Sequence, residues 1–285
     1  MSNKSKIESV DGLKIYYWVD YDRDRKNKDK FFVLHPGSSM NHTSLNNLSK
    51  KIVDFYNVST ISLDPRGFGI SDIPHNKENY GLNYYTSDLT RIIEKEGIEN
   101  PFGVGHSFGF MPIVDYASET SNMDYIVGIC ASYNFSETAE NKFLFHLFDK
   151  VLRYSEFIMS GYMKLSHWVK GETRPEFPDA SDLEGKSEFD VYKKIVDISL
   201  KRSLADTQSG RIINTWDISE QLKNVNKPML LIYGEKDPMV RACAGDKIKD
   251  LVKGECEIET IEGKHSLPIT KPKAVFDIMQ KYLRI

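Results

Sequence analysis

Short apolar segments alternate with helical patterns over most of the chain, and this alternation restricts the fold more than any other feature. The predicted strands cover residues 13–19, 31–35, 58–63, 102–105, 125–131, 229–233 and 256–261. The predicted helices cover residues 43–55, 84–96, 108–119, 241–252 and 271–282. Near-continuous apolar strands separated by helices indicate an α/β fold with a mostly parallel sheet covered by helices on both faces. The segment before Phe31 is expected to form an antiparallel pair that leads into this sheet.

One stretch departs from the alternation. Residues 134–216 contain aromatic-rich helical patterns but no convincing strand. We therefore predict a core domain made of residues 1–133 and 217–285, with a helical cap inserted at 134–216. Because ligand pockets form where such an insertion meets a core, some of its aromatic side chains are expected to face a small-molecule substrate.

Composition and charge argue against several classes of function. The 285 residues carry 38 Lys and Arg against 41 Asp and Glu, a net charge of −3, which does not favour nucleic-acid binding. No apolar run is long enough for a membrane span, and the first residues lack the apolar core of a signal peptide. Cys130, Cys243 and Cys256 form no CxxC pair, so we expect reduced thiols and a cytoplasmic protein.

The strongest chemical signal is Gly105-His106-Ser107-Phe108-Gly109, which follows a predicted strand and precedes a predicted helix. This G-x-S-x-G pattern is typical of a tight turn that lifts a nucleophilic serine above the edge of a sheet. The glycines leave room for the neighbouring backbone, and the turn aims the backbone N–H of Phe108 at a substrate oxygen. A dinucleotide fingerprint, G-x-G-x-x-G, fails because Phe108 stands where its third glycine would be.

A serine nucleophile needs a base, and the base needs an orienting carboxylate. In strand–turn–helix sites of this kind the chain order is serine, acid, histidine. Asp237 follows the strand predicted at 229–233, and His265 follows the strand predicted at 256–261. We therefore predict that Ser107, Asp237 and His265 meet at the carboxyl edge of the sheet and form a catalytic triad.

Together these segments resemble an α/β-hydrolase-fold serine hydrolase of the esterase and lipase type with a helical cap. The segments that carry the resemblance are His35-Pro36-Gly37-Ser38-Ser39, Leu63-Asp64-Pro65-Arg66-Gly67-Phe68-Gly69-Ile70-Ser71-Asp72, Gly105-His106-Ser107-Phe108-Gly109, Gly234-Glu235-Lys236-Asp237 and Gly263-Lys264-His265. The resemblance implies an eight-stranded type of sheet that is mostly parallel. It also implies that the turn after His35 gives the second oxyanion donor, the N–H of Gly37 with Ser38 next to it.

The chain departs from the family pattern at two positions. Pro36 stands where a glycine is usual, and Phe110 stands where a small residue often follows the nucleophile turn. In the segment after the strand predicted at 58–63, the resemblance implies that Asp64 and Arg66 brace neighbouring loops rather than act on a substrate.

The predicted reaction is hydrolysis of a carboxylic ester with a small, largely apolar acyl group, through an acyl-enzyme on Ser107. The alternatives on the same triad are a proline-type aminopeptidase, a C–C bond hydrolase, a lactonase and a thioesterase. A receptor for a small ligand with this fold is a further alternative. An epoxide hydrolase or dehalogenase is disfavoured, since those resemblances require Asp in place of Ser107. No cofactor and no metal are expected, because the other histidines form no metal-ligand pair such as HExxH.

Overall fold

The segments predicted as strands lie side by side in one sheet of the computed structural model, which describes residues 2–21, 30–74, 76–138, 185–187, 190 and 212–285. The strands are β1 (Ser2–Glu8), β2 (Lys14–Tyr21), β3 (Phe31–His35), β4 (Ser59–Leu63), β5 (Phe102–His106), β6 (Tyr125–Ile129), β7 (Met229–Gly234) and β8 (Cys256–Ile261). Their spatial order is β1-β2-β4-β3-β5-β6-β7-β8. Most of the predicted cap at 134–216 lies outside the described residues.

The pairing confirms the predicted mostly parallel sheet with an antiparallel lead-in. β1 pairs with β2 and β2 with β4 in antiparallel fashion, and every later pairing along the sheet is parallel. The parallel strands therefore end at one common edge. His35 lies opposite Gly105 there, and Gly234 lies opposite Ile261. In open α/β sheets this carboxyl edge is where ligands bind.

Helices cover both faces of the sheet. They are α1 (Asn46–Tyr56), α2 (Leu82–Glu96), α3 (Phe110–Glu119), α4 (Phe135–Thr138), α5 (Ser219–Leu222), α6 (Cys243–Leu251), α7 (Leu267–Thr270) and α8 (Pro272–Tyr282). Side chains that alternate along a strand point to opposite faces. Val33 accordingly packs in the hydrophobic cluster of α2 and α3, whereas Phe32 and Leu34 pack in the cluster of α1 and α8. Within the described ranges, no helix is long and apolar enough to cross a membrane.

The ends of some elements differ from the sequence prediction for local reasons. The strand predicted at 125–131 ends at Ile129, because Cys130 adopts a left-handed backbone with φ of 49°. The helix predicted at 43–55 begins as a 3₁₀ turn at His42–Leu45, and the helix predicted at 108–119 begins as a 3₁₀ turn at Ser107–Gly109.

Arg66 and Asp64 brace the loop after β4, as the resemblance implied. The Arg66 side chain is fully buried and donates from Nε and Nη2 to the two carboxylate oxygens of Asp88, at 2.9 and 2.8 Å. Its Nη1 donates to Asp11 at 2.9 Å. Asp64 accepts the backbone N–H groups of His42 at 3.0 Å and Ile70 at 2.7 Å. These bonds join the turn between β1 and β2, helix α2 and the loop after β4.

Replacing Arg66 with methionine is expected to lower the free energy of unfolding by about 3–5 kcal/mol, since Asp88 would be left as a buried charge without its partner. Urea unfolding followed by circular dichroism measures this change. The matched control is Lys273→Met, which breaks the exposed pair between Lys273 and Asp277 at 2.6 Å. That pair is expected to be worth less than about 1 kcal/mol. A loss of similar size for both variants would contradict a structural role for Arg66.

Candidate active site

Ser107 occupies a strained turn between β5 and the 3₁₀ turn that precedes α3. Its φ is 54°, in the left-handed region that non-glycine residues rarely adopt. The flanking glycines are required by close contact. A Cβ at Gly105 would lie 2.4 Å from the Cα of Phe110, and a Cβ at Gly109 would lie 2.4 Å from the carbonyl oxygen of His35. The glycines thus allow the turn that presents the serine hydroxyl.

A Gly109→Ala substitution is expected to reduce kcat/KM by about 100-fold, because the methyl group must displace the backbone at His35, where the predicted oxyanion turn begins. Steady-state kinetics on an ester substrate measures the loss. Gly97→Ala is the control. Gly97 has φ of 61° at the end of α2, and a Cβ there would meet no atom within 4 Å. The Gly97→Ala variant is expected to lose about 1–2 kcal/mol of stability and to keep the activity of the wild type. Equal kinetic losses in both variants would argue against the steric explanation.

Ser107, His265 and Asp237 form a continuous chain of hydrogen bonds. His265 Nε2 lies 2.9 Å from Ser107 Oγ, and His265 Nδ1 lies 2.8 Å from Asp237 Oδ2. The three residues are only 6%, 6% and 5% exposed, respectively. An ionised carboxylate can only accept, so Nδ1 carries the ring proton and Nε2 accepts from the serine hydroxyl. The three residues predicted from chain order therefore lie together at the carboxyl edge of the sheet.

The other oxygen of Asp237 is held by two backbone donors that sequence reasoning missed. Oδ1 accepts the N–H groups of Met239 at 2.7 Å and Val240 at 3.0 Å. Burial alone would raise the pKa of Asp237, but the charge and hydrogen bond of His265 and these two N–H groups hold that pKa below its usual value. Asp237 is therefore ionised at neutral pH and can stabilise a positive charge on His265.

Two further histidines support the site from inside the sheet. His106 Nε2 lies 2.9 Å from the carbonyl oxygen of His265, so this nitrogen carries the proton and donates. Burial lowers the pKa of His106 to about 3, with a contribution from His265. Burial likewise lowers the pKa of His35 to about 4, and its Nδ1 lies 3.0 Å from the carbonyl oxygen of Pro36. Both rings are neutral structural links, one to the loop of His265 and one to the turn at Pro36.

The predicted oxyanion donors come from segments that lie next to each other. β3 ends at His35 opposite Gly105 of β5, so the turn with Gly37 and Ser38 begins beside the nucleophile turn that holds Phe108. Gly37 approaches the ring of His106 so closely that a Cβ there would lie 2.7 Å from Nδ1. This proximity is consistent with the N–H groups of Gly37 and Phe108 acting on one substrate oxygen.

Comparison with known proteins agrees with this architecture. Residues 32–154 match the sequence model of the alpha/beta hydrolase fold family. An esterase from Exiguobacterium antarcticum superposes with a TM-score of 0.73 over 98% of this chain and 98% of its own, at 16% identity. The chain therefore has the α/β-hydrolase fold.

Two curated relatives are similar over parts of the sequence. The 2-(acetamidomethylene)succinate hydrolase of Mesorhizobium japonicum is 27% identical over 190 residues, 65% of this chain. Epoxide hydrolase 4 of mouse (Mus musculus) is 22% identical over 236 residues, 79% of this chain. The chain spans 64% and 65% of the lengths of these relatives, a little under two thirds.

The fold accommodates Phe110, the unusual bulky residue after the turn of Ser107, through a glycine on the neighbouring strand. Phe110 is fully buried. A Cβ at Gly128 of β6 would lie 2.9 Å from the Phe110 ring. The phenyl ring thus uses space that the missing side chain of Gly128 provides.

An aromatic cluster lies next to Ser107. The ring of Trp216 lies 6.1 Å from the ring of Phe108 and 5.4 Å from that of Tyr85, and the ring of His35 lies 5.2 Å from that of Phe108. Trp216 stands at the end of the segment predicted as a cap. The sequence did not predict that Trp216 lies beside Phe108 and Ser107, because no motif or spacing links these residues.

Proposed function

We propose that this protein is a serine hydrolase that cleaves carboxylic esters with a small, largely apolar acyl group. The observation that carries the proposal is the chain of hydrogen bonds from Asp237 through His265 to Ser107, which ends on a serine in a strained turn. A serine activated in this way attacks carbonyl carbons. The partial match to the alpha/beta hydrolase family model and the similarity to two hydrolases support hydrolytic chemistry on this fold.

In the proposed reaction, Ser107 Oγ forms a bond to the substrate carbonyl carbon and gives its proton to His265 Nε2. The carbonyl oxygen becomes an oxyanion and is bound by the N–H groups of Phe108 and Gly37, with Ser38 as the neighbouring donor. One such donor is worth about 2.7–4 kcal/mol of barrier in comparable sites. His265 then protonates the leaving alcohol oxygen as the ester C–O bond breaks, which leaves an acyl group on Ser107.

Water completes the cycle. His265 takes a proton from a water molecule while the oxygen of that water attacks the acyl carbon. The second tetrahedral intermediate collapses, the carboxylic acid leaves, and the proton returns to Ser107. Throughout, Asp237 holds the Nδ1 proton of His265 and compensates the charge of the imidazolium.

The choice of an ester with an apolar acyl group rests on the aromatic cluster beside Ser107. Phe108, Tyr85 and Trp216 are buried and make the surroundings of Ser107 apolar. The similarity in fold to an esterase is consistent with this choice. The similarity to an epoxide hydrolase does not lead us to propose epoxide opening, because the nucleophile position holds Ser107 and not an aspartate.

Labelling with a fluorophosphonate probe tests the proposal. We expect one covalent adduct, on the peptide that contains Ser107, and hydrolysis of p-nitrophenyl esters with an optimum at short chain length. An adduct without ester turnover would instead favour the aminopeptidase, C–C hydrolase, lactonase, thioesterase or receptor alternatives. A folded protein that gives no adduct would contradict an activated Ser107.

A further inference from the structure

A thiol lies beside the acid and base of the site. Cys130 follows the end of β6, and its N–H donates to the carbonyl oxygen of Ile232 in β7 at 2.8 Å. Its Sγ lies 3.7 Å from the carbonyl oxygen of Lys264, the residue before His265. The backbone of Cys130 is left-handed and its side chain is fully buried. The thiol is thereby held at the loops that carry Asp237 and His265.

Three possible metal ligands lie within 4.8 Å of one another: the sulfur of Cys130, a carboxylate oxygen of Asp237 and a ring nitrogen of His265. All three residues are buried. Sulfur, imidazole nitrogen and carboxylate oxygen form a donor set that binds Zn²⁺ and softer divalent cations. In a tetrahedral zinc site such atoms lie about 3.5 Å apart, so a contraction of about 1 Å would close the triangle. Among the described residues, this is the group of three His, Cys, Asp or Glu side chains whose ligand atoms lie close enough to hold one metal ion.

The charges of this triangle also suit a divalent cation. A thiolate and a carboxylate together carry two negative charges, and a neutral imidazole adds none. A bound M²⁺ would therefore give a site without net charge, which removes most of the cost of burying an ion.

We propose that Cys130, Asp237 and His265 form an inhibitory site for a thiophilic divalent cation such as Zn²⁺ or Cd²⁺. The proposal rests on the proposed function for the roles of Asp237 and His265. Binding releases the thiol proton of Cys130 to solvent and forms bonds from the metal to Sγ, to a carboxylate oxygen and to His265 Nδ1. The ring proton moves from Nδ1 to Nε2 through exchange with solvent. Nε2 then has no lone pair with which to accept the proton of Ser107, so hydrolysis stops.

Titration with Cd²⁺ tests the site by two independent readouts. The first is the ultraviolet charge-transfer absorption of a cadmium–thiolate bond, and the second is residual ester hydrolysis relative to the same variant without metal. The experiment uses a Cys243→Ser background, because Cys243 is an exposed thiol that could bind cadmium by itself. We expect one Cd²⁺ per chain, with absorption and inhibition rising together.

Cys130→Ser is the decisive variant. It is expected to remove the absorption and to raise the inhibitory Cd²⁺ concentration at least 100-fold. Equal inhibition of both proteins, or absorption that persists in Cys130→Ser through the third thiol, Cys256, would overturn the proposal.

Two further variants test the site even if Cys130→Ser does not fold. They also test it whether or not the protein cleaves esters. Asp237→Asn and His265→Gln retain Cys130 but lose one ligand each. The absorption titration of both is expected to shift to at least tenfold higher Cd²⁺ concentration. No shift in either variant would overturn the site. Because absorption needs no turnover, a protein that binds Cd²⁺ as expected but cleaves no ester would contradict the proposed function alone.

Discussion

Ser107→Ala is expected to lower kcat for ester hydrolysis by about 10⁴- to 10⁶-fold while the fold stays intact. Loss of the proposed nucleophile removes the proposed acyl-enzyme route, and losses of this size are known for triad serines in other hydrolases. Alanine has the same backbone preferences as serine at φ of 54°, so little change in stability is expected. Stopped assays with a p-nitrophenyl ester and thermal unfolding measure the two effects.

Another buried serine provides the control for Ser107→Ala. Ser49 lies on α1, away from the carboxyl edge, and its Oγ is 2.6 Å from Oγ1 of Thr60. Ser49→Ala is expected to cost about 1 kcal/mol of stability through this lost bond and to leave kcat unchanged. If Ser107→Ala kept more than about one hundredth of the wild-type rate, a far smaller loss than a triad serine causes, a different group would have to be the nucleophile.

Asp237→Asn is expected to lower kcat by about 10⁴-fold, and the geometry explains why. The N–H groups of Met239 and Val240 both point at one oxygen of this side chain, so the amide oxygen of an asparagine must face them. The amide NH₂ then faces His265 Nδ1, which can only accept. The ring proton is thereby forced onto Nε2, where it blocks proton transfer from Ser107.

The nitrogen chemical shifts of His265, measured by NMR, distinguish this explanation from simple disorder. The wild type is expected to show a protonated Nδ1, and Asp237→Asn a protonated Nε2. Asp277→Asn serves as control, since Asp277 lies exposed on α8 and pairs with Lys273. An unchanged tautomer in Asp237→Asn would show that the aspartate does not set the state of the base.

The local patterns of the sequence predicted most of the fold. Apolar runs placed β3, β6 and β7 because strands buried on both faces consist almost entirely of apolar residues. The polar segment Ser2–Glu8 was expected only as part of an antiparallel lead-in. The G-x-S-x-G spacing and the order serine, acid, histidine placed Ser107, Asp237 and His265. These patterns suffice because the conformation of a turn at the end of a strand is determined mainly by the residues of the turn itself and those next to it in the sequence.

Long-range contacts lay beyond such patterns. Arg66, for example, reaches Asp11 across 55 positions of the chain. The N–H groups at Met239 and Val240 carry no side-chain signal, since any residue there could donate them. The proximity of Cys130 to the acid and base depends on the pairing of β6 with β7, which no linear spacing encodes. The match of Phe110 to Gly128 likewise becomes visible only in three dimensions.

The strand order also has a consequence for synthesis of the protein. β8, which directly precedes the loop of His265, lies at one edge of the sheet and comes after the other described strands in chain order. A nascent chain can therefore complete the serine turn and the turn after His35 long before its base exists. We expect such a growing chain to be unable to acylate Ser107 until β8 has joined β7 and placed His265 beside the serine.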